Sequence, residues 1–159
     1  MEKSNLLQGK VAFITGGAQG IGKAVAKSFI KHGGKAILAD CDQKKLEKTV
    51  SELGNCAEGI KLDVVDEIAT ESIAKKAFGI FGAVTTVIPN AGILLLKHGI
   101  DTSASEFRKV IDVNLTGAFI TSTIFAREMI QNNIDGRIIM TSSLFGTRGG
   151  RENSAYSAS

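Results

Sequence analysis

Val11-Ala12-Phe13-Ile14-Thr15-Gly16-Gly17-Ala18-Gln19-Gly20-Ile21-Gly22 decides the fold. Its first four residues form a short apolar run, the pattern of a strand buried on both faces. The run ends on glycines. A helix is expected next, from about Ile21 to His32, with Ala24, Val25, Ser28 and Phe29 on one face. Lys31 and His32 suit the negative end of its dipole, and Gly33-Gly34 stops it.

The alternation continues along the chain. Ala36 to Ala39 reads as a second strand ending at Asp40, followed by a helix from the cap Asp42 to about Leu53. Ile60 to Asp63 reads as a third strand, Asp66 to about Phe78 as a third helix, and Val84 to Ile88 as a fourth strand. Ser103 to Glu106 fits a capping box at the head of one long helix reaching about Gln131. Phe107, Val110, Ile111, Asn114, Leu115, Ala118 and Phe119 recur along it at helical spacing. A turn at Asp135-Gly136 is expected to lead into a fifth strand, Arg137 to Thr141. Strands alternating with helices imply an α/β fold, a doubly wound parallel sheet with helices on both faces. Such sheets take ligands beyond the carboxyl ends of their strands, where Gly16 to Gly22, Asp40, Asp63 and Asn90 to Gly92 all fall.

The glycines carry chemistry. A dinucleotide's pyrophosphate needs backbone N–H groups at close range and the positive end of a helix. A Cβ at Gly16, Gly20 or Gly22 would block the phosphate or hold the helix off the strand. Asp40, 18 residues past Gly22, ends the second strand where an acidic group accepts from adenosine ribose hydroxyls. A P-loop reading competes, because Gly17 to Lys23 fits that pattern as far as its Lys and Ala36 to Asp40 imitates a strand ending in a metal-holding Asp. A P-loop needs Ser or Thr after the Lys to hold Mg²⁺, and Ala24 cannot ligate a metal. A glycine turn with no ligand is the third reading.

Composition narrows the classes. With 43% hydrophobic and 22% charged residues, one domain spanning residues 1–159 can bury a core. One Pro and 18 Gly suit regular elements joined by tight turns rather than a disordered chain. A net charge of +3 without a basic run argues against a nucleic-acid partner. Cys41, Cys56, His32 and His98 form no metal-ligand spacing, so free thiols in a reducing compartment and no metal are expected. Met1 to Lys10 lacks the apolar core of a signal peptide, and no run approaches the ~18 apolar residues of a membrane span. A cytoplasmic protein without membrane contact is the expectation.

Thr15 to Gly22, Asn90-Ala91-Gly92, Asn114, Ser142-Ser143 and Tyr156-Ser157-Ala158-Ser159 together resemble the short-chain dehydrogenase/reductase family, over a stretch from Gln8 to Ser159. The resemblance implies a Rossmann-type fold and hydride transfer between a nicotinamide and a secondary alcohol or ketone. It implies Tyr156 as the acid/base, Ser143 (13 residues upstream) as the donor to the substrate oxygen, and Asn114 as the holder of a relay water. It assigns the cofactor to Gly16, Gln19, Gly20, Ile21, Gly22, Asp40, Asp63, Val64, Asn90, Ala91, Gly92 and Tyr156. Relatives preferring NADP usually carry a basic residue just after the Asp40 position or within the glycine loop. Cys41 and Gln19 are neutral there, so NAD is expected over NADP.

Two departures stand out: Pro89 replaces an Asn of the family's Asn-Asn-Ala-Gly turn, and Thr85 sits where many relatives carry Asp. The family's active-site Lys follows its Tyr by four positions, and Ser159 is the last residue here. A phenol ionises near pH 10, and a neighbouring ammonium lowers that. The expectation is therefore an NAD-binding Rossmann domain incomplete at its C-terminus, inactive or nearly so by itself. The complete protein would act on small alcohols or ketones as a homo-dimer or tetramer. A non-catalytic NAD-binding or partner-binding module and a nucleotide triphosphatase are the alternatives.

Overall fold

The computed structural model describes residues 5–159. Met1 to Ser4, the head of the stretch read above for a leader, lie outside the described residues. In chain order the elements are β1 (Val11–Thr15), α1 (Gly20–Lys31), β2 (Lys35–Asp40), α2 (Gln43–Leu53), β3 (Ala57–Lys61), α3 (Glu67–Ile80), β4 (Thr86–Ile88), α4 (Ala104–Ile111), α5 (Gly117–Gln131), β5 (Arg137–Ile138) and α6 (Ser154–Ala158). The five strands form one parallel sheet in the order β3-β2-β1-β4-β5. From β1 the chain winds outward through β2 to β3, then crosses by α3 to β4. The switch point therefore lies between β1 and β4, where such sheets bind ligands.

The apolar runs are explained by burial on both faces. Val11, Phe13, Ile37 and Val87 pack with α3 and α5, while Ala12, Ile14, Leu38 and Ile88 pack with α1 and α2. Phe13 and Phe125 meet at the centre of the first layer, ring centroids 4.2 Å apart. The expected caps form. Asp42 accepts from Lys45 N, Asp66 from Ala69 N, and Ser103 with Glu106 closes the capping box.

Several boundaries differ from expectation, each for a physical reason. On α1 the buried residues are Gly22, Ala26 and Phe29, whereas Ala24 and Ser28 are exposed. The packed stripe follows the glycine that touches the loop. Strand β3 begins at Ala57 and ends before Asp63, because its partner is the whole of β2, Ala36↔Ala57 to Asp40↔Lys61. As an edge strand it tolerates Glu58 and Gly59, which are poor strand formers. Strand β4 starts at Thr86 rather than Val84. The Thr85 hydroxyl accepts from Val11 N (3.0 Å) and donates to Val11 O (3.2 Å), beside the backbone bond from Thr85 N to Val11 O (3.0 Å).

The departure at Pro89 cuts the fifth strand short, at Ile138 instead of Thr141. Ile139 N and Thr141 N still donate to Val87 O and Pro89 O. The ladder then needs a donor from position 89, and proline has none. The turn before β5 sits at Asn132 and Asn133, not Asp135-Gly136. Asn133 takes the left-handed φ of 54°, and Ile134 N donates to Met129 O. The long helix is continuous but not uniform, for a wide π turn over Asp112–Thr116 joins α4 to α5.

Candidate functional site

The glycine loop is fixed by what surrounds it. Gly16 has a φ of 64°, and a Cβ there would sit 2.9 Å from Ala91 Cα. A Cβ on Gly22 would overlap the Gly16 carbonyl oxygen. Gly20, with φ 55°, opens α1. The first N–H groups of a helix lack intrahelical partners, and Gln19, Gly20 and Ile21 are exposed there. Gln19 is the extended N-cap, and its side chain makes no capping bond. The result is an open cradle of amides with room for an anion.

Asp40 stands beside this loop at the end of β2. Its Oδ2 accepts from Ala18 N and its Oδ1 from Asp42 N, both at 3.0 Å. Each carboxylate oxygen keeps a further lone pair for a ligand hydroxyl. Asp63 is exposed and accepts from Val65 N at 3.3 Å. Val64 is buried, packed where Gly117 lets α5 approach.

Thr15 ties the glycine loop to the fourth strand. Its buried hydroxyl oxygen accepts from Asn90 N and Ala91 N, both at 3.0 Å. Asn90 Nδ2 donates back to Thr15 O at 3.0 Å and Gly16 O at 3.4 Å, and Asn90 Oδ1 accepts from Thr141 Oγ1 at 3.3 Å. Asn90 thus braces three strand ends.

Asn114 projects from the π turn onto the segment after Gly92. Its Oδ1 accepts from Ile93 N at 2.8 Å, and its Nδ2 donates to Ile93 O at 3.0 Å and Ser159 Oγ at 2.9 Å. Ser159 Oγ donates in turn to Tyr156 O at 2.9 Å. Tyr156 lies on α6 beside Phe145, ring centroids 6.3 Å apart and edge to face. Ser143 is half-buried, and its hydroxyl accepts from Phe145 N at 3.3 Å. Among the described residues no hydrogen bond joins Ser143 to Tyr156; Phe145 is the link between them.

A strap closes the far side. Lys97 N donates to Glu152 O at 2.8 Å, and Lys97 Nζ bonds both Glu106 oxygens at 2.8 and 2.9 Å. Lys97, then the Ser103 amide, hold the Glu106 carboxyl down at about 2.

Lys23 weighs against the P-loop alternative. Its Nζ pairs with Glu52 Oε2 on α2 at 2.6 Å, and Asp40 is engaged by backbone amides. Among the described residues no group of three or more His, Cys, Asp or Glu could hold a metal ion. Both cysteines are free thiols, and among the described residues no helix is long and apolar enough to cross a membrane.

Sequence reasoning brought the right strand ends together but missed the hydroxyls of Thr15, Thr49, Thr85 and Thr141 that pin them. The Thr49 hydroxyl donates to Ala18 O at 2.7 Å. The one available signal was a threonine directly before the glycines.

Residues 10–159 match the family model described as short chain dehydrogenase. An uncharacterized oxidoreductase of Thermotoga maritima is 36% identical over 97% of this chain and 61% of its own length. The NADP-dependent (R)-specific alcohol dehydrogenase of Lentilactobacillus kefiri is 35% identical over 96% of this chain and 62% of its own. The crystal structure of LigD in its apo form, from Sphingobium sp. strain SYK-6, superposes with a TM-score of 0.91 at 36% identity, over 96% of this chain and 66% of that one. The chain thus spans less than two thirds of the length of these relatives. With its fold, glycine loop and sequence all in agreement, the chain belongs to the short-chain dehydrogenase family.

Proposed function

We propose that these residues form the cofactor-binding part of an NAD-dependent oxidoreductase that interconverts a secondary alcohol and a ketone. The observation that carries this is the pair Gly16 and Gly22, where a Cβ would collide with Ala91 Cα or the Gly16 carbonyl and so break the close turn that presents the helix amides, set beside Asp40. Gly16, Gln19, Gly20, Ile21 and Gly22 would hold the pyrophosphate on amides and the helix dipole. Asp40 would take the adenosine ribose hydroxyls, and Asp63 and Val64 the adenine. Asn90, Ala91 and Gly92 would line the path toward Tyr156. When bound, the nicotinamide supplies the centre that gives or takes the hydride.

Tyr156 moves the proton at its phenolic oxygen, and Ser143 donates its hydroxyl to the substrate oxygen. Asn114, held at the wide turn, orders the proton relay; such turns recur at functional sites. Positioned proton transfer is worth about 10²–10⁴-fold in rate. Preference for NAD over NADP rests on the Asp40 charge and on neutral Gln19 and Cys41. Relatives of known cofactor include NADP-dependent enzymes, so this preference is a property to be measured on this chain.

As a separate polypeptide, the 159 residues are expected to bind cofactor and turn over little or nothing. In the complete protein, a homo-dimer or tetramer would cover Phe107, Leu115 and Phe119, which line α4, the π turn and α5 and are 36%, 51% and 64% exposed. The two free thiols support a cytoplasmic setting. The test is to join these residues to the C-terminal part of a relative and assay NAD-linked turnover on a panel of alcohols. Turnover that Tyr156→Phe abolishes is expected; no gain over the 159 residues alone would overturn the reading.

A further inference from the structure

We infer that Thr49 is a positioning residue for cofactor selection, acting through Ala18 on Asp40; this rests on the reading of Asp40 as the ribose acceptor. Thr49 lies on α2, is not itself among the proposed ligand contacts, and is 2% exposed. A buried hydroxyl needs a partner. Thr49 Oγ1 finds it in Ala18 O, at 2.7 Å across 31 residues. Ala18 N donates to Asp40 Oδ2 at 3.0 Å, so the same loop residue is gripped from both sides.

The circuit closes on itself. Asp40 Oδ1 accepts from Asp42 N at 3.0 Å. Asp42 in turn caps the helix that carries Thr49, its Oδ1 accepting from Lys45 N at 3.1 Å. Asp40, Asp42, α2, Thr49 and Ala18 therefore form one ring. Neither carboxylate oxygen can rotate away without breaking a bond in it. A carboxylate fixed in this way keeps its spare lone pairs aimed in one direction, and no ordering cost remains when ribose hydroxyls arrive. Removing the Thr49 hydroxyl opens the ring: Ala18 loses its hold on α2, and the amide that orients Asp40 Oδ2 is less firmly placed. The loss falls on the ligand with free ribose hydroxyls, and so on the ratio of the two affinities.

The experiment is a fluorescence titration of the 159-residue chain with NADH and, separately, NADPH, on wild type, Thr49→Val, Thr49→Ser and Asp40→Ala. Val keeps the shape and removes the donor; Ser keeps the donor. Asp40→Ala is expected to erase the NADH preference. Thr49→Val is expected to lower the NADH-to-NADPH affinity ratio about tenfold, the worth of one hydrogen bond. Thr49→Ser is expected to restore it.

A ratio unchanged in Thr49→Val, with the Asp40→Ala ratio collapsed, overturns this inference alone. A ratio unmoved by Asp40→Ala, or no nucleotide binding by a folded wild-type chain, overturns the Asp40 reading and this one with it. If Thr49→Val does not fold, Thr49→Ala against Thr49→Ser asks the same question. Failure of both donor-less variants to fold, with Thr49→Ser folded, shows a hydroxyl that holds the fold and overturns the selection role.

Discussion

The cofactor end and the catalytic end of this chain are built differently. At the first, the polar groups of Thr15, Asp40 and Asn90 are paired, across as many as 76 residues of sequence, on strands buried on both faces. At the second, Ile139, Met140 and Leu144 are exposed, Ser143 is only half-buried, and buried Asn153 Oδ1 has no hydrogen-bond partner among the described residues. Two or three strands in register are enough to make a nucleotide cradle, because its donors are backbone amides. A catalytic pair needs two side chains, Ser143 and Tyr156, aimed at one point, and here they are linked only through Phe145. The first end is preorganised by the sheet; the second draws its order from whatever packs on it.

The comparison breaks most readily at Gly22. Gly22→Val forces a side chain into the Gly16 carbonyl, and NADH affinity should fall by about a hundredfold or more, on the order of 3 kcal/mol. Gly79→Ala in α3, where a Cβ meets open space, serves as the control. It should leave binding unchanged and raise stability by about 0.5–1 kcal/mol in thermal unfolding.

Thr15→Val comes next. Two backbone N–H groups lose their acceptor at a residue 1% exposed. A buried unsatisfied group costs about 1–3 kcal/mol. A loss of roughly 2–5 kcal/mol should lower Tm by about 5–15 °C. A shift as small as that of a surface variant would show that the cradle is not held from β4.

Acid should loosen the catalytic side. Folding holds the Glu106 carboxyl near about 2 instead of 4.5, so its contribution is complete above its ordinary range and fades as pH falls from 4.5 toward 2. Amide protection at Lys97 and Ser103, taken against the intrinsic rate at each pH, should fall over that window in wild type, and should already be low at neutral pH in Glu106→Gln.

The smallest effect is expected at Ser143. Ser143→Ala should change stability by no more than about 1 kcal/mol, because the side chain is only half-buried and makes one weak bond. A large loss of Tm would show the catalytic end to be as tightly built as the cradle.

The difference also governs how much was legible in the sequence. Strands β1 and β2 announce themselves as apolar runs, and the caps Asp42, Asp66 and Ser103 with Glu106 act within three residues of themselves. Pro89 warned of altered pairing, and the cost landed on β5. What stayed hidden acts at long range. Thr49 and Thr85 reach partners 31 and 74 residues away, and a hydroxyl leaves no periodic mark. The start of β3 at Ala57 leaves no apolar run to read, because an edge strand needs one ladder rather than two apolar faces. The π turn at Asp112–Thr116 has no compositional signature, yet it is what carries Asn114 to Ile93.

The central claim is that the cradle is complete within these residues. The most direct measurement is a titration of the 159-residue chain with NADH, read by fluorescence and by amide exchange residue by residue. Saturable binding, with slowed exchange at Gly20 to Gly22 and around Asp40 to Asp42 and no displacement by Mg-ATP, is the predicted result. A folded chain that binds no NADH, or whose protection falls outside the glycine loop, would contradict it.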